Sequence, residues 1–243
     1  MTHRRAAKKI VASKWKWFRK SREQHGLRRE NRKPSILLIG MREYMKPHLS
    51  SQSYPFLHLK LPSESLRGFA SLLQHGILFS LRHPIPLLTF LVSLPGFSAD
   101  YIEKNVQTIF IDGVAADSLD RELAGGATVA LSAAMPGLAG AIFRRQGVHG
   151  SLRSQPVQQF PHAQSGTGFL TLKLFNSIAT DRIGDLLDQG ILVSGKALAN
   201  FARPRGHLFA PPVGILLDGQ ELAYPALLDE AERLDLVLVR RER

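Results

Sequence analysis

Gly190-Ile191-Leu192-Val193-Ser194-Gly195-Lys196 has the spacing of a phosphate-cradling loop, in which backbone amides and a lysine would hold a polyphosphate. The next position, where a Ser or Thr would ligate magnesium, is Ala197. Ile-Leu-Val between the glycines calls for burial in a sheet, whereas a phosphate cradle needs exposed amides, so the segment reads as a strand. The nine histidines show no i, i+4 pair of the kind that grips a metal on one helix face. His75 and His83, eight apart, read as surface or packed histidines flanking a strand. No Gly-x-Ser-x-Gly nucleophile turn occurs. Asp229, Glu230, Glu232 and Asp235 could do acid–base work only if buried, and their spacing reads more simply as a solvated last turn before a closing strand. With no cysteine, disulfides, thiolate metal sites and thiol nucleophiles are excluded. No catalytic residue, metal ligand, cofactor or small-molecule ligand is therefore assigned, and the chain reads as a binding protein rather than an enzyme.

The candidate binding residues lie at the N-terminus. Read as a helix, residues 8–22 place Val11, Trp15 and Phe18 on one stripe, with Trp17 beside it and Lys8, Lys9, Lys14, Lys16, Arg19, Lys20 and Arg22 around it. Such a segment suits structured RNA or DNA through phosphates and stacking, an anionic membrane surface, or a groove on a protein. Its simplest alternative is a solvated basic tail, against which the two tryptophans argue.

The net charge of +12 is concentrated there: residues 1–33 hold 13 Lys and Arg against Glu23 and Glu30, which leaves the rest nearly neutral. Attraction to phosphate therefore belongs to an arm and not to a basic face of the body. Ile10, Val11 and Ala12 are interrupted at once by Lys14 and Lys16, which does not suit a secretory signal. A cytoplasmic location follows, with an organellar transit peptide left open by the arm's composition. The apolar stretch from Gly76 to Pro95 contains Arg82, His83, Pro84 and Pro86 and reads as core, not a membrane span.

The elements that must carry this arm show a duplication. Phe56-Leu57-His58-Leu59-Lys60-Leu61 recurs as Phe169-Leu170-Thr171-Leu172-Lys173-Leu174, and Leu72–Ser80 recurs as Leu186–Ser194, in the same order and one residue out of register. Each copy then runs a strand into Asp-Gly, at Asp112-Gly113 and Asp218-Gly219, which suits a tight hairpin. Each closes on an apolar run, 127–131 and 234–239. The first copy carries extra residues, including Leu87 to Leu94, read as a helix or buried strand. In the second, Ser194 caps a helix from Gly195 to Phe201 that ends before Pro204. The plan in each copy is ββαββ, with Leu57, Leu59 and Leu61 predicted to occupy the same structural place as Leu170, Leu172 and Leu174. Ile36 to Ile39 adds a possible extra strand.

Leu170 to Asn176, and Ile109 to Gly113 followed by Ala124 to Leu131, resemble the opening strand and closing hairpin of the sulfur-carrier branch of the β-grasp fold, namely the molybdopterin-synthase small subunit and the thiamine-pathway sulfur carrier. Asp112 stands where that family usually has Asn. The resemblance covers 54–141 and 168–239 and implies an α+β chain of two tandem β-grasp (ubiquitin-like) units, each a mixed sheet crossed by a helix. The organisation expected is a basic arm, helical or disordered, over 1–33, a first unit over 34–143, a linker over 144–167 and a second unit over 168–243. The family's chemistry needs a free C-terminal Gly-Gly, and this chain departs from it: Met135 to Ala141 resembles such a tail but lies in mid-chain, and the second copy ends in Arg240 to Arg243. Cleavage after Gly140 would be needed to expose a glycine. The reading is thus a binding adaptor, anchored by its arm to a larger protein or ribonucleoprotein; the alternatives are a sulfur-carrier relative in molybdopterin or thiamine pathways and an RNA-binding accessory factor.

Overall fold

The computed structural model describes residues 54–153 and 168–242. The arm residues, Ile36 to Ile39 and most of the expected linker lie outside them.

The first block of the duplication forms β1 (Phe56–Lys60), two single-turn helices α1 (Leu66–Phe69) and α2 (Leu72–His75), and β2 (Ile77–Leu81). Its counterpart forms β8 (Gly168–Leu174), α6 (Asn176–Gln189) and β9 (Ile191–Ser194). Leucines at every second position put one face of β1 and β8 into the core: Leu57, Leu59, Leu170, Leu172 and Leu174 are fully buried. At Gly76 and Gly190 the backbone takes φ values of 108° and 97°, which ends the helix and turns the chain into the strand.

After β2, β3 (Ile85–Pro86) pairs with β6 (Glu122–Leu123), and α3 (Leu87–Ser93) and α4 (Ala99–Asn105) pack on the core, so the Leu87–Leu94 segment is a helix. The hairpin β4 (Thr108–Ile111) and β5 (Val114–Ala115), then β7 (Thr128–Ser132) and α5 (Gly137–Phe143), complete the first copy. In the second, α7 (Gly195–Ala202), the hairpin β10 (Gly214–Leu217) and β11 (Gln220–Glu221), α8 (Tyr224–Arg233) and β12 (Leu236–Glu242) follow β9. Ser194 caps α7 as the sequence predicts, its hydroxyl accepting from the Ala197 N–H at 3.1 Å. Both turns hold Asp and Gly at positive φ, 51° and 79° at Asp112-Gly113, 50° and 82° at Asp218-Gly219, as a tight hairpin between twisted strands requires.

The fold is α+β, and its mixed sheet is a single one of ten strands in the order β11-β10-β1-β12-β9-β2-β8-β7-β4-β5. The leucine rows of β1 and β8 therefore do not share one place, contrary to the prediction from the duplication. Strand β1 inserts between β10 and β12 of the second copy, antiparallel to one and parallel to the other. Strand β8 inserts between β2 and β7 of the first, again antiparallel to one and parallel to the other. Each sequence copy so donates its opening strand to the other copy's end of the sheet. The two ends are joined where β2 meets β9, with Leu78 opposite Leu192 and Leu192 opposite Leu238, an apolar row across the seam. The pattern of alternating leucines makes a strand fit any apolar slot of matching length, so the periodicity fixes which face is buried but not which neighbours it has.

Candidate functional site

On the sheet face opposite the leucine core, at the β4–β7 end, lies a cavity of about 450 Å³. Period-two alternation builds it: Val129 and Leu131 of β7 are buried, while Thr128 and Ala130 face the other side beside Phe110 of β4. Gly113 and Ala130 leave room; Met135 and Phe175 supply apolar walls. Phe143 of α5 lies 5.3 Å from the Phe110 ring, centroid to centroid, so α5 packs against the same strand.

The polar end is made by Ser132 and Asn176. Asn176 begins α6 with φ 53°, a left-handed value that Asn tolerates better than most residues, and its Nδ2 donates to Ser132 Oγ at 2.9 Å. The Phe175 N–H donates to Leu131 O at 2.9 Å, which fixes this junction against β7. Ser132 is 6% exposed and stands opposite Thr108, whose buried Oγ1 has no hydrogen-bond partner among the described residues. Arg145 ties the chain after α5 to α4 and the connection that leads into β4: its N–H donates to Gln107 O at 2.7 Å, Nη1 to Val106 O at 3.2 Å, and Nη2 to Glu103 at 3.2 Å. No ionisable side chain lines the cavity. Shape and two amide-and-hydroxyl contacts are what it offers, not proton transfer.

The segment around the cavity is also where apolar side chains are left in solvent. Leu138, Val148 and Leu152 are 70%, 84% and 62% exposed, and they are the large apolar residues so exposed among those described. The stretch bearing them is held by Arg153, which donates to Ile142 O and Arg144 O and pairs with Asp117, all at 2.7 Å, and by the Gln146 N–H on Asp117 at 3.2 Å.

The residues singled out in the sequence fare unevenly. Lys8, Lys9, Val11, Lys14, Trp15, Lys16, Trp17, Phe18, Arg19, Lys20 and Arg22 lie outside the described residues. The Gly190–Lys196 loop is the β9 strand, with Ile191, Leu192 and Val193 buried, and Gly195 is packed so closely on the Leu234 and Ala231 carbonyls that a Cβ would collide with backbone. Glu230 pairs with Arg233 at 2.8 Å and Glu232 with Arg203 at the surface of α8. The described residues contain no group of three metal-ligating side chains, and none of their helices is long and apolar enough to cross a membrane. The cavity residues gave no motif: Asn176 after an apolar strand was the one local sign, and only the pairing of β7 with β8 brings it to Ser132. No family model, curated protein or solved structure matches this chain.

Proposed function

We propose that the protein is a non-catalytic binding adaptor that receives an apolar side chain of a protein partner, aromatic or branched, in the cavity on β4 and β7. The observation that carries this is a 450 Å³ space whose lining is apolar apart from Thr128, Ser132 and Asn176 and holds no charge. Leu138, Val148 and Leu152, on the chain that follows Met135, extend the apolar surface available to the same partner. Strand addition is less well supported, because the outer strands β5 and β11 are two residues each and offer little backbone. The basic residues of 1–33 add electrostatic attraction to a larger protein or ribonucleoprotein assembly.

The same reading treats each end of the sheet as a β-grasp-like half with an exchanged strand, since both ends run antiparallel, antiparallel, parallel, antiparallel from the outer hairpin inwards. A sulfur-carrier role draws no support from the tail-like Met135–Ala141: Gly137–Phe143 is helical, and Gly140 is buried against the Met135 carbonyl, whereas a carrier presents an extended glycine end.

The test is Ala130→Trp, which fills the cavity from the sheet side, compared with the wild-type chain in affinity capture from native extract. Loss of one wild-type partner with an unchanged circular dichroism spectrum is the expected result. Identical partner sets would remove the cavity from the proposal, and deletion of 1–33 separates the arm's contribution.

A further inference from the structure

At the polar end of the cavity two hydroxyl groups have bonding capacity to spare. Thr108 and Ser132 are directly opposed on β4 and β7. Ile109 and Leu131, the next pair along the ladder, are fully buried in the leucine core, so period-two alternation turns Thr108 and Ser132 to the cavity's side of the sheet. Residues opposed in this way hold their Cβ atoms about 4.5–5.5 Å apart. Their hydroxyls nevertheless do not bond each other: Thr108 is 1% exposed and its Oγ1 has no hydrogen-bond partner among the described residues. Ser132, which lines the cavity, accepts from Asn176 Nδ2 and donates to no acceptor among the described residues.

A hydroxyl left unbonded at this depth is destabilising, and a group that enters the cavity and bonds it recovers the loss on binding. The chemistry of that group follows from what is spare. Ser132 has a proton to give, and Thr108 has both a proton and lone pairs, so the matching tip is one that accepts and donates. An indole N–H only donates and a carbonyl only accepts. A primary amide does both but brings no apolar body for the walls of Phe110, Ala130, Met135 and Phe175. An ionised tip would enter a lining that holds no counter-charge. A ring with a hydroxyl at its far end meets every condition, and among side chains that is the phenol of tyrosine.

We propose that the cavity's occupant is a tyrosine side chain of the partner, its ring against the apolar walls and its hydroxyl accepting from Ser132 and donating to Thr108. This rests on the adaptor reading and narrows the occupant from any aromatic or branched side chain to one.

N-acetyl-tyrosinamide and N-acetyl-phenylalaninamide, which differ by that single oxygen, are the probes. Each is titrated into the full chain while nuclear magnetic resonance follows the backbone amides of Thr128, Ala130 and Ser132. The tyrosine probe should bind at least about fivefold more tightly, the worth of one net hydrogen bond. Thr108→Val and Ser132→Ala should each bring that ratio towards one while leaving the phenylalanine probe's affinity within about twofold, since the apolar walls are untouched. Thr108→Val keeps the side chain's shape and removes an unbonded hydroxyl, so the free protein's urea midpoint should rise; a lowered midpoint means that Thr108 already has a partner, and overturns the assignment. Equal affinity for the two probes, or a preference that survives in both variants, overturns the tyrosine assignment and leaves the adaptor reading standing. Amides unmoved by either probe overturn it as well, and partner capture with Ala130→Trp then decides separately whether the cavity reading falls too. Circular dichroism establishes that each variant is folded, and either suffices if the other is not.

Discussion

Asp112 and Asp218 each fasten the start of a strand that comes from elsewhere in the chain. Asp112 Oδ1 accepts from the Thr128 N–H and Asp218 Oδ1 from the Phe56 N–H, both at 2.7 Å, while their own amides donate to the carbonyls of Thr128 and Phe56. Asp218→Ala loses that bond and puts a β-carbon residue other than Asn or Asp at positive φ, so it should cost about 1–2 kcal/mol in urea unfolding, with Asp218→Asn close to wild type. The Asp-Gly steps were legible as turns, yet the strand each one grips was not, since a turn motif names its own neighbours only. Two titrations belong at this scale as well. Tyr101, part-buried and donating to Asp181 at 3.0 Å, has its pKa pushed up to about 12, chiefly by burial. Folding therefore gains from neutral Tyr101 below pH 10 and loses that gain as pH rises towards 12; ultraviolet titration should show the last tyrosinate step vanish in Tyr101→Phe. For His75, burial first and then Arg205 and Lys173 hold the pKa below its ordinary 6.5. The unfolded chain takes up that proton more readily as pH falls below 6.5, so stability declines there, and His75→Gln should flatten the decline in thermal unfolding.

Among the elements, α7 shows how a spacing that mimics a ligand motif arises from packing. Gly195 admits α8 to within backbone contact, Ser194 caps the helix, and Leu198 and Phe201 fall on its buried side. The periodicity and the cap were readable because both are local. Gly195→Ala should cost at least about 3 kcal/mol, since the obstruction is carbonyl backbone that cannot rotate away, and should shift the urea midpoint far more than Gly184→Ala on the α6 surface, where the nearest atom is a flexible Leu66 methyl at 3.6 Å. The length of α6 was not readable: Asn176 to Gln189 makes 14 residues, Gly184 included, where the matching block of the first copy folds as two single turns broken at Ala70 and Ser71. The cavity was equally hidden, as its walls come from β4, β7 and the β8–α6 junction, which only long-range pairing assembles.

For the whole molecule, the exchange of β1 and β8 binds the two sequence copies into one sheet. Duplication and alternating leucines revealed that both halves are strand-rich and that one face of each strand is buried, and this survives. Which strands pair was not legible, because sheet partners are chosen by shape and register across the chain and leave no mark on a strand's own residues. Because of this exchange, fragments 1–153 and 168–243 each lack a strand of their own end of the sheet. Expressed alone they should aggregate, and expressed together they should copurify as a complex with a cooperative melt; independently folded, monomeric fragments would contradict the topology.

The place of β1 also bears on how the chain is made. Leu57 and Leu59 leave the ribosome long before their sheet partners: the Asp218 that caps their strand follows 162 positions after Phe56, and the parallel neighbour β12 later still. Between the synthesis of Phe56–Lys60 and that of Leu236–Glu242 the nascent chain carries an apolar strand whose sheet partners are still to come, a natural substrate for a holding chaperone, and the sheet closes only when Leu236–Glu242 has emerged.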